Sequence, residues 1–101
     1  MAEKNTTRID KWLWSIRIYK TRSISAEACS SGKVKIDGNT VKASRIVRIG
    51  DNIQVRKRVI KYDYKVLKIA EKRIGANLVR DYMEDLTPDE YIRLTKLLDE
   101  E

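Results

Sequence analysis

Basic side chains gather in two stretches of this 101-residue chain, and their charge and spacing suit the binding of an anion. The members are Arg8, Lys11, Arg17, Lys20 and Arg22, with the hydroxyls of Thr21 and Ser23 beside them, and then Lys33, Lys35, Lys42 and Arg45. Residues 1–58 hold 14 Lys and Arg against 5 Asp and Glu, whereas residues 59–101 hold 8 against 10. Clustered cations displace counterions from phosphate groups, so the pattern predicts a polyanionic partner. The alternative is a solvated basic face that has no partner.

Side chains that catalyse reactions or bind metals are scarce. There is no histidine and a single cysteine, Cys29, which excludes imidazole bases, His-based metal sites and an intrachain disulfide. The phosphate-loop, GxGxxG, GxSxG and paired-Cys motifs do not occur. An acidic group at Asp81, Glu84, Asp85 and Asp89 falls at predicted helix ends, where negative charge is favoured for structural reasons. We therefore expect no catalysis, no metal and no cofactor, and a packed thiol at Cys29.

A first helix is predicted to begin near residue 9. The spacing i, i+3, i+4, i+7 of a helix that buries one face is filled by Ile9, Trp12, Leu13 and Ile16. Asp10 is expected to form an ion pair with nearby cations such as Lys11 and Arg17, and so to orient basic side chains. Trp14 and Ile18 point away from the core stripe. They either pack under the C-terminal helix or, for Trp14, offer an indole on which a base can stack.

A second helix is predicted from Ser23, as its N-cap, to about residue 31, where Gly32 ends it. Its Ile24, Ala28 and small neighbours should let it pack closely on the first helix. After Gly32 the apolar period changes to that of a strand, so that Lys33 and Lys35 should face solvent. A turn is predicted at residues 37–39, and further strands at residues 46–49, 53–55 and 60–69.

The C-terminal part is predicted to return to helix. Residues 77–84 follow a helical pattern, and Thr87 to Glu90 form a capping box that starts a last helix. Its apolar stripe comprises Tyr91, Leu94, Leu97 and Leu98. Residues 1–7 are interpreted as a frayed arm. The expected fold is α+β in one domain: two N-terminal helices packed on a small twisted antiparallel sheet, followed by a helical C-terminal tail.

The order and spacing of several motifs resemble the S4 RNA-binding domain. They are Arg8-Ile9-Asp10-Lys11-Trp12-Leu13-Trp14, Lys20-Thr21-Arg22-Ser23, Gly32-Lys33-Val34-Lys35-Ile36-Asp37-Gly38, Val41-Lys42-Ala43-Ser44 and Gly50-Asp51. Later segments, at residues 64–67, 71–76 and 82–88, look like the ribosome-associated heat-shock S4 proteins. This resemblance implies an S4 core at residues 8–55. It also implies that residues 56–101 add a strand and a C-terminal helical extension to the same domain.

The resemblance also implies a function and a set of contacts. Members of that family bind free large ribosomal subunits that still carry a nascent chain on tRNA, and they contact both ribosomal RNA and tRNA. The implied RNA contacts in this chain are Arg8, Lys11, Arg17, Lys20, Thr21, Arg22, Ser23, Lys33, Lys35 and Lys42, and Arg45 joins them through its place in the second basic stretch. Because no secretory signal or membrane span is visible, we expect a cytoplasmic protein, and we expect a monomer.

Two other functions are open at this point. A DNA-binding helix-turn-helix module would fit two short N-terminal helices, although the second helix has few side chains that read base edges. An RNA-modifying enzyme would fit the habit of S4 domains to accompany catalytic domains, although 101 residues leave little room for one.

Overall fold

The structure, a computed structural model, describes residues 5–99. The elements in chain order are β1 (Thr6–Arg8), α1 (Ile9–Ser15), α2 (Arg22–Ser30), β2 (Val34–Ile36), β3 (Asn39–Thr40), β4 (Ile46–Arg48), β5 (Asn52–Lys57), β6 (Ile60–Val66), a 3-10 turn (Ala76–Leu78), α3 (Val79–Tyr82), β7 (Met83–Asp85) and α4 (Asp89–Asp99). Within this part of the chain, none of the helices has the length and apolar character that a membrane crossing requires.

The strands form two antiparallel sheets. Five of them lie in the order β3-β2-β5-β6-β7, and β1 pairs separately with β4. The predicted α+β class, with helices and an antiparallel sheet, is confirmed. The frayed arm is wrong for Thr6 and Thr7, which pair with Arg48 and Val47, while residues 1–4 of that predicted arm lie outside the described residues. Sequence patterns failed here because β1 is short, polar and paired with a strand about forty residues away.

The core forms where the apolar stripe of α1 meets the inner face of the five-stranded sheet. The stripe predicted from the sequence is buried, with at most 1% exposure at Ile9, Trp12, Leu13 and Ile16. The sheet contributes Val34, Ile36, Ile53, Val55 and Val66. The indole Nε1 of Trp12 donates to the carbonyl oxygen of Lys68 at 3.1 Å, which satisfies the one polar atom of that side chain.

The start of α2 differs from the prediction. Thr21, not Ser23, is the N-cap, and its hydroxyl accepts a hydrogen bond from the backbone N–H of Ile24 at 3.1 Å. The helix therefore begins at Arg22, and its register turns Ile24 outward, 46% exposed, instead of onto α1. Ser25 and Cys29 are buried in its place. Gly32 ends this region with a φ of +80°, as a glycine after a helix commonly does.

The C-terminal part contains less helix than predicted. The strand β6 ends at Val66, and residues 77–84 divide into a 3-10 turn, the four-residue α3 and the start of β7. The hydroxyl of Thr87 accepts from the backbone N–H of Asp63 in β6, at 3.0 Å. In the predicted stripe of α4, Leu94 and Leu97 are 39% and 62% exposed, and the side chain of Leu98 lies outside the described residues.

An irregular segment, residues 68–75, lies against α1. Besides the Trp12 bond to Lys68, the backbone N–H of Ile74 donates to the Ser15 carbonyl at 3.0 Å, and Arg73 Nε donates to the Trp14 carbonyl at 3.2 Å. The helix α4 packs on β6 instead. These hydrogen bonds place residues 68–75 against this end of α1, and the packing of Trp14 and Ile18 under the C-terminal helix stays a prediction.

Candidate nucleic-acid interface

The first group of cations surrounds a buried carboxylate at the start of α1. Arg8 donates from Nε and Nη2 to the two carboxylate oxygens of Asp10, at 3.1 and 3.0 Å, and Arg22 Nη2 lies 3.7 Å from Asp10 Oδ1. The Asp10 side chain is 5% exposed, whereas Arg8 and Arg22 are 49% and 46% exposed. We call these three residues the arginine cluster. A bidentate bond to a carboxylate fixes the guanidinium plane and leaves its other N–H groups available to an outside acceptor.

Two neighbouring elements bring the arginines together. Arg8 ends β1 and is the N-cap residue of α1, and the backbone N–H of Ile9 is tied to the Arg45 carbonyl at 2.7 Å. Arg22 is the first residue of α2, fixed there by the Thr21 cap. The predicted orienting role of Asp10 thus has a structural basis, but its partners are Arg8 and Arg22, not Lys11 and Arg17.

An open depression joins the arginine cluster to the loop after the β2–β3 hairpin. It is lined by Arg8, by residues 29–32 at the end of α2, and by residues 40–44. Lys42 therefore shares this depression with Arg8. The hydroxyl-bearing lining residues are Ser30, Ser31, Thr40 and Ser44. Guanidinium, ammonium and hydroxyl donors together are the groups that proteins use to bind phosphate oxygens.

A second group of cations lies on the exposed face of the five-stranded sheet. Arg56 is paired in register with Lys61, and its backbone N–H donates to the Lys33 carbonyl at 2.8 Å. Lys33, Arg56 and Lys61 are exposed, and they line one groove together with Lys35. We call Lys33, Arg56 and Lys61 the cationic row. The groove shares Gly32 and Thr40 with the depression beside the arginine cluster, so the two basic regions adjoin.

Two of the predicted contacts are engaged with residues 68–75. Lys11 is partly buried and its Nζ lies 4.0 Å from a Glu71 carboxylate oxygen. Arg17 adopts a φ of +68° and donates from Nε to the Ile74 carbonyl at 2.8 Å. The structure therefore assigns Arg17 a role in holding this segment on α1, and leaves only part of its guanidinium for another acceptor.

The remaining predicted contacts lie at the ends of elements. Lys20 is exposed in the connection between α1 and α2, and Thr21 is exposed although its hydroxyl caps α2. Ser23 is exposed in the first turn of α2, and Arg45 is exposed before β4. Their contact with RNA stays a prediction, as it does for the whole predicted set.

Burial shifts the pKa values of three groups near these regions. Burial, together with the negative charge of Asp10, raises the pKa of Cys29 to about 11, so the thiol is protonated at neutral pH, in agreement with the packed thiol predicted from the sequence. Burial also raises the pKa of Tyr19 to about 12. The ammonium of Lys57 lies over the Tyr19 ring, 4.8 Å from its centroid, and donates to the Ile18 carbonyl, and burial lowers its pKa.

Sequence reasoning missed Arg56 and Lys61. A signal was present, because Arg56, Lys57 and Arg58 are consecutive and Lys61 follows three residues later. The sequence alone could not show which of these cations share one surface, however. Lys57 contacts the Ile18 carbonyl and the Tyr19 ring, and Arg58 lies in the β5–β6 turn with a φ of +56°. Strand register places Arg56 and Lys61 in the cationic row.

The predicted acidic group at the C-terminal end does not form a metal site. In the part of the chain that the structure describes, no group of three or more His, Cys, Asp and Glu side chains is placed to hold a metal ion. Asp85 Oδ1 accepts from the backbone N–H of Thr87 at 3.0 Å, a bond that orders the turn before α4.

Comparison with known proteins gives matches in sequence and in structure. The family model of the S4 domain matches residues 7–53. A heat shock protein 15 homolog of Haemophilus influenzae is 41% identical over 76 residues, which cover 75% of this chain and 57% of that protein. The RQC P-site tRNA stabilizing factor of Helicobacter pylori is 36% identical over 62 residues, which cover 61% of this chain and 74% of that protein.

A solved structure, described as the trimeric structure of Vibrio cholerae heat shock protein 15, matches with a TM-score of 0.82 and 31% identity. The match covers 91% of this chain and 95% of that one. The chain spans between 53% and 64% of the length of the first curated heat shock protein 15 relatives that it matches. The structural match therefore extends well beyond the segment that the S4 family model covers.

Proposed function

This chain belongs to the heat shock protein 15 family of S4-domain proteins, and from that premise we propose that it binds structured RNA and catalyses no reaction. The proposed surface is formed by the arginine cluster, the depression beside it and the β2–β3 hairpin. Its members are the predicted set Arg8, Lys11, Arg17, Lys20, Thr21, Arg22, Ser23, Lys33, Lys35, Lys42 and Arg45. Arg17 would contact RNA through the guanidinium N–H groups that do not bind the Ile74 carbonyl.

The arginine cluster is the observation that carries this proposal. A carboxylate that is 5% exposed loses most of its hydration, and its partners here are two half-exposed guanidinium groups. This arrangement holds two cations side by side at the surface before any ligand arrives. Phosphate binding then costs less side-chain entropy than it would with two free arginines. Long-range attraction comes from the excess of positive charge in residues 1–58.

The proposed targets are ribosomal RNA of the large subunit and a tRNA that carries a stalled nascent chain. Support comes from the relatives, whose names include heat shock protein 15 and RQC P-site tRNA stabilizing factor. Because these targets are ribosomal, the proposed location is the bacterial cytoplasm, away from membranes. The function is a binding function in rescue of stalled translation, and it needs no cofactor.

The proposed unit is one chain. Residues 8–55 supply the S4 core, and residues 56–101 add β6, β7 and α4 to the same domain. A monomer fits this assignment because Arg8, Arg22 and Lys42 meet within a single chain. Multi-angle light scattering of the purified protein should give the mass of one chain, 11.8 kDa. A trimer, as described for the Vibrio cholerae relative, would overturn this part of the proposal.

A binding comparison tests the RNA assignment. The affinities for large-subunit RNA, tRNA and duplex DNA of equal length should differ, with the two RNAs bound more tightly than the DNA. For six to eight phosphate contacts, the slope of log K against log salt should be about −4 to −7. Equal affinity for all three nucleic acids would contradict the proposal and favour non-specific binding. A footprint on one defined duplex would favour the DNA-binding alternative.

Sucrose-gradient fractionation tests the ribosomal target. Cells are compared with and without induced translational stalling, and the protein is followed by immunoblot. We expect it to sediment with free large subunits, and more of it to do so after stalling. Sedimentation with small subunits, or only at the top of the gradient, would contradict the large-subunit assignment.

A further inference from the structure

The register of three strands sets like charges beside one another in the cationic row. Val34 pairs with Val55, so the next two residues opposite each other along these antiparallel strands are Lys33 and Arg56. Arg56 pairs with Lys61 on its other side. Because Val34, Val55 and Ile60 are buried, strand alternation turns their cationic neighbours to the outer face. Lys33, immediately before β2, thus lies beside Arg56 of β5 and Lys61 of β6.

This arrangement lowers the stability of the folded protein. Like charges directly opposite one another on neighbouring strands are destabilising. Among residues 5–99, the ion pairs of the structure involve Arg8, Lys11 and Arg22, and they do not involve the cationic row. Asp37 lies at the far end of the same groove, which otherwise presents Lys33, Lys35, Arg56 and Lys61. The groove therefore has an excess of positive charge, which would attract an anion.

The other lining residues suit a polyanion with a sugar-phosphate backbone. Thr40 and Gln54 offer neutral donors, and Gly32 and Gly38 allow close approach. The groove adjoins the depression of the arginine cluster at Gly32 and Thr40. An RNA chain held by the arginine cluster therefore has a second positively charged surface next to it.

We propose that this groove, with Arg56 and Lys61 as its defining cations, is a second RNA-binding surface. It takes a stretch of RNA backbone next to the one held by Arg8 and Arg22, and it shares Lys33 and Lys35 with the first proposed surface. The inference rests on the proposed function, since it extends RNA binding from the helical side of the domain onto the open face of the sheet. It adds two contacts that lie beyond the S4 match at residues 7–53.

The test compares two double variants that remove the same charge. Arg56→Gln/Lys61→Gln neutralises the sheet pair, and Arg93→Gln/Lys96→Gln neutralises two exposed cations of α4. Each protein is titrated with purified large bacterial ribosomal subunits and with a bulk tRNA preparation. We expect the sheet variant to bind at least one probe about fivefold more weakly or worse, and to reduce the magnitude of the salt slope for that probe by about 1 to 2. The α4 variant should stay within about twofold of the wild type, a limit set by the loss of long-range attraction alone.

Thermal unfolding separates a binding surface from a structural one. Neutralising two of the three cations in the row reduces repulsion, so the melting temperature of Arg56→Gln/Lys61→Gln should equal or exceed that of the wild type. Weaker binding with unchanged or higher melting temperature supports the proposal. Binding within about twofold of the wild type for both probes would overturn it, as would a loss of binding that is matched by a lower melting temperature. Wild-type protein that binds neither probe would instead contradict the proposed function itself.

Discussion

In the arginine cluster a buried carboxylate stands between two cations, whereas in the cationic row three cations follow one another across β2, β5 and β6. The first arrangement holds its side chains by hydrogen bonds and ion pairs of 3.0 to 3.7 Å. The second holds only the backbone, through the strand register, and leaves the side chains exposed. A phosphate that meets the cluster finds cations already oriented. A phosphate that binds to the row must order its cationic side chains, at a cost in side-chain entropy.

The comparison shows two ways in which one small domain gathers positive charge. In the cluster, the carboxylate lowers the net charge but fixes the geometry. The row contains only cations, but their side chains are not held in one orientation. We therefore expect the cluster to contribute more to specific affinity, and the row to contribute mainly through the salt-dependent attraction of phosphates.

The largest effect is expected from charge reversal in the cluster. Arg22→Glu removes a phosphate partner and sets a second carboxylate beside Asp10, so RNA affinity should fall by more than about 1 kcal/mol, or more than fivefold. Lys96→Glu in α4 makes the same change of charge on another surface and should cost much less. Titration with one structured RNA under fixed salt measures both. Comparable losses in both variants would place the RNA surface elsewhere. They would also remove the distinction between the arginine cluster and the cationic row.

The cluster also depends on a local device that the row lacks, the cap of α2. Thr21→Ala removes the hydroxyl that accepts from the Ile24 N–H, and the free energy of unfolding should fall by about 1 kcal/mol. Urea denaturation measures the change. Ser23→Ala is the matched control, because Ser23 lies inside the helix and is exposed, and it should change stability by less than about 0.5 kcal/mol. The reverse result would restore Ser23 as the cap.

Asp10→Asn separates orientation from charge. The variant makes the protein more positive, so Coulomb attraction alone predicts tighter binding of RNA. If Asp10 orients Arg8 and Arg22, the loss of the ionic partner should weaken binding about threefold, or by about 0.7 kcal/mol. The exposed Glu27 of α2 provides the control, since Glu27→Gln makes the same change of charge and should leave binding equal or slightly tighter.

A second background sharpens this test. With Arg8→Gln already present, Asp10→Asn has lost its main partner and should change affinity much less, which a double-mutant cycle measures. Tighter binding of the single Asp10→Asn variant would show that the carboxylate only dilutes the charge. The cluster would then act in the same way as the row.

The cluster was more accessible to sequence reasoning than the row for a physical reason. The helix pattern at Ile9 and Trp12 and the motif around Arg8 and Asp10 are local, and helix periodicity makes such contacts readable. The row joins Lys33 to residues more than twenty positions later. That contact depends on which strands pair and in which register, and neither follows from alternation alone.

The remaining errors have the same kind of cause. The pairing of β1 with β4 is non-local, and the segment at residues 68–75 has no period that could reveal its position on α1. At the start of α2, Thr21 and Ser23 are both good caps, so the choice between them is made by the tertiary position of the helix. Local patterns therefore predicted α1 and the α+β class, while β1, the division of residues 77–84 and the joining of the charges into surfaces depended on the fold.

The smallest predicted effect is a pH dependence that belongs to the cluster and has no counterpart in the row. The pKa of Cys29 is raised from its ordinary value of 9.0 to about 11 by burial and by Asp10. The folded protein therefore keeps this proton where the unfolded chain has lost it, so the contribution of Cys29 to stability is complete below pH 9 and declines as the pH rises towards 11.

Urea denaturation at pH 8 and at pH 10.5 should show a larger loss of stability in the wild type than in Cys29→Ala. Burial raises the pKa of Tyr19 as well, and the charge of the Cys29 thiolate adds to that rise. Cys29→Ala therefore also reduces the Tyr19 contribution, which acts in the same direction in this comparison. Equal losses in the two proteins would mean that folding does not raise the pKa of the Cys29 thiol, so that neither its burial nor the nearby Asp10 carboxylate affects its titration.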